Sequence, residues 1–144
     1  MECEFPTVNA DGDALKAILE SVKTIAVLGL SPDESKDSNR VARYLQKKGY
    51  KIIPVYPKAD KDILGEKVYT SLADIPQGVD MINIFRKPNA LDAIADAAIA
   101  RGDVKVFWSQ IGIVNNAAAQ KAEDAGMAVV QNRCSMVEHR KLIG

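Results

Sequence analysis

The chain has 144 residues, of which 47% are hydrophobic and 26% charged, and its 19 Lys and Arg residues balance its 19 Asp and Glu residues. This length is typical of one domain that is large enough to bury a core. A net charge of zero argues against the positive field with which nucleic-acid-binding domains attract phosphates. No apolar run approaches the roughly 20 residues of a membrane-spanning helix, so we expect neither a nucleic-acid nor a membrane partner.

The N-terminus and the cysteines indicate the compartment. Residues 1–6 carry acids rather than a basic start followed by an apolar stretch, which is unlike a secretory signal and predicts a cytoplasmic protein. Cys3 and Cys134 lie near opposite ends of the chain, without the spacing of metal ligands. Because disulfides are rare in a reducing cytosol, we expect two free thiols and no metal site.

The first predicted elements are a helix over residues 11–23, capped by Asp11, and an apolar strand over residues 24–29. Ser38 is then expected to cap a helix that continues to about residue 48. The second strand covers residues 50–56. Because Pro54 has no N–H to donate, we place it at the end of that strand or at the edge of the sheet.

Strands and helices continue to alternate to the C-terminus. Residues 63–78 predict a crossover with at most one helical turn. The elements that follow are a strand over 79–85, a helix from Pro88 to Arg101, a strand over 104–108, a helix from Asn115 or Asn116 to Ala125, a strand over 127–130 and a helix over 136–142. This alternation predicts a single α/β domain over residues 1–144, with a Rossmann-like, doubly wound, mainly parallel five-stranded sheet and helices on both faces. The core that would bind a cofactor covers about residues 24–134.

Ligands of such sheets bind beyond the carboxyl ends of the strands, which directs attention to the first loop. Gly29 allows close approach of a ligand, and the loop leads into a helix whose free N–H groups attract phosphate. Hydroxyl donors and cations accompany it: Ser31, Ser35, Lys36, Ser38 and Arg40. The full G-x-G-x-x-G fingerprint is absent, so a polar surface turn is the alternative.

The second loop separates the possible nucleotides. NAD-binding domains usually end this strand with an acid that binds the ribose hydroxyls, whereas here Lys58 follows the strand and Lys61 lies nearby. Cations suit the 3′-phosphate of coenzyme A (CoA) and the 2′-phosphate of NADP equally well. The alternative is that both lysines are solvated surface charges.

The third and fourth loops add weaker signals. Arg86 and Lys87 place positive charge beside another helix start, and the segment Gln110-Ile111-Gly112 offers amide groups to a ligand. Phe85, Phe107 and Trp108 could stack on a ligand, but we expect packing, above all for Phe107.

Taken in order, several segments resemble the small stand-alone CoA-binding proteins, a family similar to the N-terminal CoA-binding domain of the succinyl-CoA synthetase alpha subunit. The resemblance covers roughly residues 20–144. It is carried by Gly29-Leu30-Ser31, by residues 38–45, 50–55, 63–69 and 71–76, and by Phe85-Arg86-Lys87-Pro88, Trp108-Ser109-Gln110-Ile111-Gly112 and Asn132-Arg133-Cys134. The family often has leucine where Ser109 stands and aspartate where Asn132 stands, which leaves the polarity of the distal pocket open.

This resemblance implies CoA as the cofactor and assigns site residues to four loops. The pyrophosphate would lie on the first loop, the adenosine and its 3′-phosphate on the second, with the third as a neighbouring wall and the fourth towards the pantetheine arm. The residues are Gly29, Leu30, Ser31, Ser35, Lys36, Asn39 and Arg40; Val55, Tyr56, Pro57 and Lys58; Phe85, Arg86, Lys87 and Pro88; and Gln110, Ile111 and Gly112.

Two reactive side chains receive no catalytic role. A synthetase of the related kind holds a phosphohistidine in a second domain, and we expect these 144 residues to form one domain without that second one. His139, the chain's one histidine, is expected to be a solvated helix residue. Cys134 follows the last strand, where a cofactor thiol could form a mixed disulfide with it, although a free cysteine is more often a small buried hydrophobe.

Three classes of function follow. The leading one is a non-catalytic CoA or acyl-CoA carrier, sensor or regulatory module. The alternatives are an NADP-linked oxidoreductase and the CoA-binding subunit of an acyl-CoA ligase that acts with a separate partner. We expect a monomer or small homo-oligomer, with an unidentified protein partner as an open alternative.

Overall fold

A computed structural model describes residues 5–144, so Cys3 and the first residues of the N-terminus lie outside the described part. The strands are β1 (Thr24–Leu28), β2 (Lys51–Val55), β3 (Met81–Ile84), β4 (Val106–Ser109) and β5 (Ala128–Val130). The helices are α1 (Gly12–Ser21), α2 (Asp37–Lys47), α3 (Leu91–Arg101), α4 (Asn116–Asp124) and α5 (Ser135–Leu142). No helix of the described chain is both long and apolar enough to pass through a bilayer.

All five strands are parallel and form one sheet in the order β2-β1-β3-β4-β5. Helices α1, α2 and α5 cover one face, and α3 and α4 cover the other, each with its own apolar core. Phe107 and Trp108 are fully buried in these cores, which confirms the expectation of packing for both. The predicted doubly wound α/β fold is therefore confirmed.

Two of the three helix caps predicted from the sequence are present in the structure. Asp11 caps α1 by accepting a 2.9 Å hydrogen bond from the N–H of Ala14, as predicted. Asn115 caps α4 in the same way. The prediction that Ser38 caps α2 was wrong, because this helix begins at Asp37 and the buried Ser38 hydroxyl instead accepts from the N–H of Ser31, at 3.0 Å.

The predicted crossovers are close to those observed. Residues 63–78 contain one short 3₁₀ turn, Leu72–Asp74, as the sequence indicated. The helix expected from Pro88 starts with a 3₁₀ turn, Pro88–Ala90, before α3 begins. Pro54 lies in β2, which is an edge strand of the five-stranded sheet, and its missing N–H is consistent with that position.

Strand β1 lies between β2 and β3, so the connections that leave β1 and β3 diverge to opposite faces of the sheet. Gly29, directly after β1, has φ +86°, and a Cβ there would lie 2.6 Å from the carbonyl oxygen of Phe85. Only glycine combines this backbone conformation with so close an approach. The loops after β1 and β3 are thereby held against each other.

His139 is buried, so the expectation of a solvated histidine was wrong. Its side chain is only 4% exposed because α5 packs against α2, and its Nδ1 lies 2.9 Å from the hydroxyl of Tyr44. The rings of Tyr44 and Tyr50 both meet the imidazole edge to face. Burial, together with the nearby positive charge of Lys48, holds the pKa of His139 below its ordinary value of 6.5.

Replacing Gly29 by alanine is expected to lower the free energy of unfolding by about 1–3 kcal/mol, because the new side chain occupies a left-handed conformation and collides with the Phe85 carbonyl. Urea denaturation measures the change. Gly12→Ala is the matched control. A Cβ at Gly12 meets no atom within 4 Å, so its stability should stay the same or rise by up to about 1 kcal/mol. If both substitutions changed the free energy of unfolding equally, the contact of Gly29 with the Phe85 carbonyl would not be the cause.

The buried histidine predicts a pH dependence of stability. Between about pH 7 and 5 the unfolded chain takes up a proton on His139 before the folded chain does, so the free energy of unfolding falls as the pH is lowered through the unfolded pKa. His139→Gln removes the titrating group and keeps an acceptor for Tyr44. Denaturant unfolding across this range should show a shallower loss of stability in the variant, and identical slopes for both proteins would refute the role of His139.

Candidate functional site

The carboxyl ends of four strands meet in one row. The parallel register places Leu28 beside Val55 and Ile84, and Ile84 beside Ser109. Each of these residues ends its strand, so the loops after β1, β2, β3 and β4 emerge side by side. The structure therefore brings together the four loops that the sequence assigned to a ligand.

The first loop folds back onto the first turn of α2. The Ser31 hydroxyl accepts from the N–H of Asp33 at 3.1 Å, and the Asn39 side-chain amide donates to the Ser31 carbonyl at 2.9 Å. Asn39 is 2% exposed, and its Oδ1 atom is buried without a hydrogen-bond partner. Leu30 is also buried, so its side chain belongs to the core and only its backbone can contribute to the loop surface.

An acid that the sequence analysis did not single out organises the middle of this loop. Asp33 accepts hydrogen bonds from both the hydroxyl and the N–H of Ser35, at 2.7 and 2.9 Å. The hydroxyl bond first, then the N–H bond and the charge of Lys36, lower the pKa of Asp33 below its usual value. The Ser35 hydroxyl is thus engaged within the loop. The spacing Asp-x-Ser, typical of a side-chain turn, was the available signal.

The start of α2 has N–H groups without a side-chain cap. Lys36 occupies the cap position and makes no such bond; α3 and α5 also lack a side-chain cap, whereas α1 and α4 have one. The free N–H groups and the helix dipole favour an anion here. Arg40 pairs with Asp37 at 2.6 Å, but both side chains are more than half exposed. Such a pair is weak, so a phosphate can compete for the guanidinium.

A cavity of about 280 Å³ opens beside this loop, between α3 and the segment around Leu72. Its lining is mostly apolar and consists of Leu28, Val55, Thr70, Ser71, Leu72, Arg86, Ala90, Ala93, Ile94 and Ala97. Two of the predicted site residues, Val55 and Arg86, are among them. The sequence analysis did not identify the other lining residues. Ala90, Ala93, Ile94 and Ala97 recur at helical spacing, which would have predicted that they share one face.

The segment around Leu72 reaches the site because Tyr69, three residues before Leu72, pairs with β2. The N–H of Tyr69 donates to the Pro54 carbonyl, and the N–H of Tyr56 donates to the Tyr69 carbonyl, each at 3.0 Å. Residues 70–72 are thereby carried to the carboxyl edge. This pairing joins distant parts of the chain and had no local signal in the sequence.

Exposed cations follow two of the strands that end at this edge, and Arg86 lines the cavity. Lys58 follows β2, Lys61 lies three residues further on, and Arg86 and Lys87 follow β3. All four side chains are exposed, and none forms an ion pair within residues 5–144. Pro57 is exposed beside Lys58, while Tyr56 and Phe85 are half-buried and pack against the core beneath α1 and α2.

The fourth loop is less available to a ligand than the sequence suggested. Gln110 is 5% exposed, and its side chain donates to Asn83 and, at 3.1 Å, to the Ser135 hydroxyl. The N–H of Gly112 donates to Asn132 Oδ1 at 2.7 Å, which ties this loop to the one after β5. A contact between the Gln110 amide and a ligand stays a prediction and would require these bonds to exchange.

The remaining predicted residues flank the site. Ile111 is 67% exposed, which is unusual for its size. The Pro88 carbonyl accepts from the Asn115 side chain at 2.9 Å and so joins the starts of α3 and α4. Cys134 carries a free thiol and is half-buried directly before α5, where it packs against the core.

Comparisons with known proteins agree with this geometry. Residues 23–140 match the model of a family described as a CoA binding domain. The uncharacterized protein YneT of Bacillus subtilis is 38% identical over 125 residues, which cover 87% of this chain and 91% of YneT. A solved structure of a hypothetical protein from Pyrococcus horikoshii is 38% identical, with a TM-score of 0.89 and full coverage of both chains.

A shorter match reaches a much larger enzyme. In the ADP-forming acetate–CoA ligase II of Archaeoglobus fulgidus, 61 residues are 44% identical to this chain, and they amount to 41% of this chain but only 9% of the ligase. The ordered loops at the carboxyl edge, the parallel sheet and the match over residues 23–140 lead to one conclusion: this chain belongs to the CoA-binding domain family and is related to the CoA-binding part of ADP-forming acetyl-CoA synthetases.

Proposed function

We propose that the chain binds CoA or an acyl-CoA at the carboxyl edge of its sheet and acts in the cytoplasm as a non-catalytic carrier, sensor or regulatory module. One observation supports this above the others. The uncapped start of α2 lies at the same edge as a mostly apolar cavity, and exposed cations follow β2 and β3 at that edge. CoA requires this combination, because it joins a pyrophosphate, a purine ring and a phosphorylated ribose.

The pyrophosphate would be held by the first loop. The free N–H groups at the start of α2 can donate to phosphate oxygens, and Lys36 and Arg40 can neutralise their charge. Gly29 keeps the backbone free of a side chain at the point where the loop leaves β1. Ser31 and Ser35 can add hydroxyl bonds once the present bonds within the loop exchange.

The adenosine would lie towards the cavity. Its volume of about 280 Å³ and its apolar walls suit a planar base better than a charged group. Lys58 and Arg86 stand as exposed cations at this end, where they can bind the 3′-phosphate. The pantetheine arm would then run towards Ile111 and Gly112.

The state of the histidine favours binding over catalysis. His139 is the chain's one histidine, and it is buried and bonded to Tyr44 rather than exposed at the carboxyl edge. A buried neutral imidazole is poorly placed to accept a phosphoryl group from a bound nucleotide. We therefore assign this chain the binding of the cofactor, without a phosphotransfer step of its own.

Calorimetric titration with CoA, dephospho-CoA and NADPH in parallel tests the proposal. We expect saturable 1:1 binding of CoA, weaker binding of dephospho-CoA because the 3′-phosphate is missing, and the weakest binding of NADPH. Binding of NADPH without binding of CoA would refute the proposal and favour the oxidoreductase alternative.

Lys58→Ala should reduce the preference for CoA over dephospho-CoA by roughly tenfold, since it removes one cation that faces the 3′-phosphate. Affinity for dephospho-CoA should stay nearly unchanged. Lys105→Ala is the charge-matched control, because Lys105 is exposed directly before β4, at the opposite edge of the sheet. An equal loss for both ligands, or an equal effect of the control, would show that Lys58 does not face this phosphate.

The ligase-subunit alternative also has a specific observation in its favour. The Archaeoglobus fulgidus ligase contains the matching segment as only 9% of its length, so in that protein the rest of the enzyme accompanies it. If this chain works with a separate partner, a tagged copy should co-purify with a protein that restores nucleotide-dependent acyl-CoA formation. If the purified material forms no acyl-CoA, the ligase-subunit alternative is refuted and the binding function is favoured.

A further inference from the structure

A second cavity lies in the groove between α2 and α5, next to the proposed CoA site. Its volume is about 440 Å³. The lining residues are Arg40, Arg43, Tyr44 and Lys47 from α2 and Met136 and Arg140 from α5. The spacing of each set places it on one face of its helix, so two side-chain stripes oppose each other across the groove.

Four of the six lining residues are cations, and acids hardly compensate them. Arg40 pairs with the exposed Asp37. Within residues 5–144, Arg43, Lys47 and Arg140 form no ion pair. In a chain with no net charge, this is a local excess of positive charge that faces a concave surface.

The floor of the groove is already fixed by internal contacts. The Tyr44 hydroxyl bonds His139, and the cations of Lys48 and Arg140 each lie 5.5 Å from the centre of the Tyr44 ring. Because Lys48 and Arg140 already lie over the Tyr44 ring, the ring offers little surface on which a base could stack. Recognition in this groove would depend on charge.

Arg43 has one donor that the described chain leaves without an acceptor. One of its terminal nitrogens donates to the Glu34 carbonyl at 3.0 Å, but its Nε atom is buried without an acceptor. Buried donors without partners are uncommon in folded proteins. If the guanidinium turned from Glu34 into the groove, an anion would receive Nε and a terminal nitrogen together in the two-pronged geometry that arginine forms with phosphate.

We propose that the groove between α2 and α5 binds a multiply charged phosphate or phosphate-ester anion, at a second site that adjoins the proposed CoA site and shares Arg40 with it. The cations of α2 from Arg40 to Lys47 extend over about 10 Å along the helix, which suits several linked phosphates better than a single one. Arg140 closes the site from the opposite helix.

The groove is connected to the first loop through two of its cations. Arg43 holds the Glu34 carbonyl in that loop, and Arg40 belongs to both sites. An anion that draws Arg43 away from Glu34 would release one of the bonds that shape the loop. Occupation of the groove would therefore alter CoA affinity, and CoA would alter the affinity of the groove by the same factor.

Inorganic tripolyphosphate is the probe, titrated at constant ionic strength into the full chain labelled with ¹³C at its methionine methyl groups. Met136 lines the groove, whereas Met81 and Met127 are buried elsewhere and serve as internal controls. We expect a saturable shift of the Met136 signal alone. Lys47→Gln combined with Arg140→Gln should weaken tripolyphosphate binding at least tenfold. Lys105→Gln, the charge-matched control, should leave it unchanged.

Variants of the other site keep the two proposals apart. Lys36→Gln combined with Lys58→Gln should weaken CoA binding and leave the Met136 response to tripolyphosphate intact. The inference is overturned if Met136 does not respond, if the Lys47 and Arg140 substitutions have no effect, or if only the Lys36 and Lys58 substitutions abolish tripolyphosphate binding. Failure of CoA to bind while Met136 still responds would refute the CoA proposal alone.

Discussion

The close contact between Gly29 and the Phe85 carbonyl is the constraint on which the site depends. β1 lies between β2 and β3, so the loops after β1 and β3 start side by side and then separate to opposite faces of the sheet. A side chain at Gly29 would force them apart, because its Cβ would lie 2.6 Å from that oxygen. The crevice between the diverging loops is where open parallel sheets bind their ligands. The strand order thus places the crevice, and glycine at position 29 allows the two loops that border it to approach this closely.

The start of α2 differs from that of α4 at the same edge in its hydrogen bonds, and it has no side-chain cap, as is also the case for α3 and α5. Asn115 accepts from the N–H of Ala118 in the first turn of α4, whereas no side chain caps the first turn of α2. Asp33 and Asp37 meanwhile hold Ser35 and Arg40. The loop therefore offers an anion free N–H groups and one free cation, Lys36, while other donors are held by acids that a stronger anion can displace.

Much of the fold was predictable because buried parallel strands have a local signature. Mainly apolar runs such as residues 24–28 and 81–84 are typical of strands that are buried on both faces, and Asp11 and Asn115 mark helix starts by short-range bonds. Errors arose where a side chain had a choice of partners. Ser38 bonds Ser31 across the loop instead of capping α2, and His139 is buried by the packing of α5 on α2.

The sequence by itself determined the α/β alternation, the loops that reach the carboxyl edge, and the cations placed in them. These features depend on local spacing and on the order of the elements along the chain. Only the tertiary structure decided that Leu72 and the α3 stripe form a cavity, that Gln110 turns inward to Asn83, and that the cations of α2 and Arg140 enclose a second groove. Each of these features depends on contacts between residues far apart in the chain. The local sequence allows several side-chain orientations of similar free energy, and packing in the folded protein selects one of them.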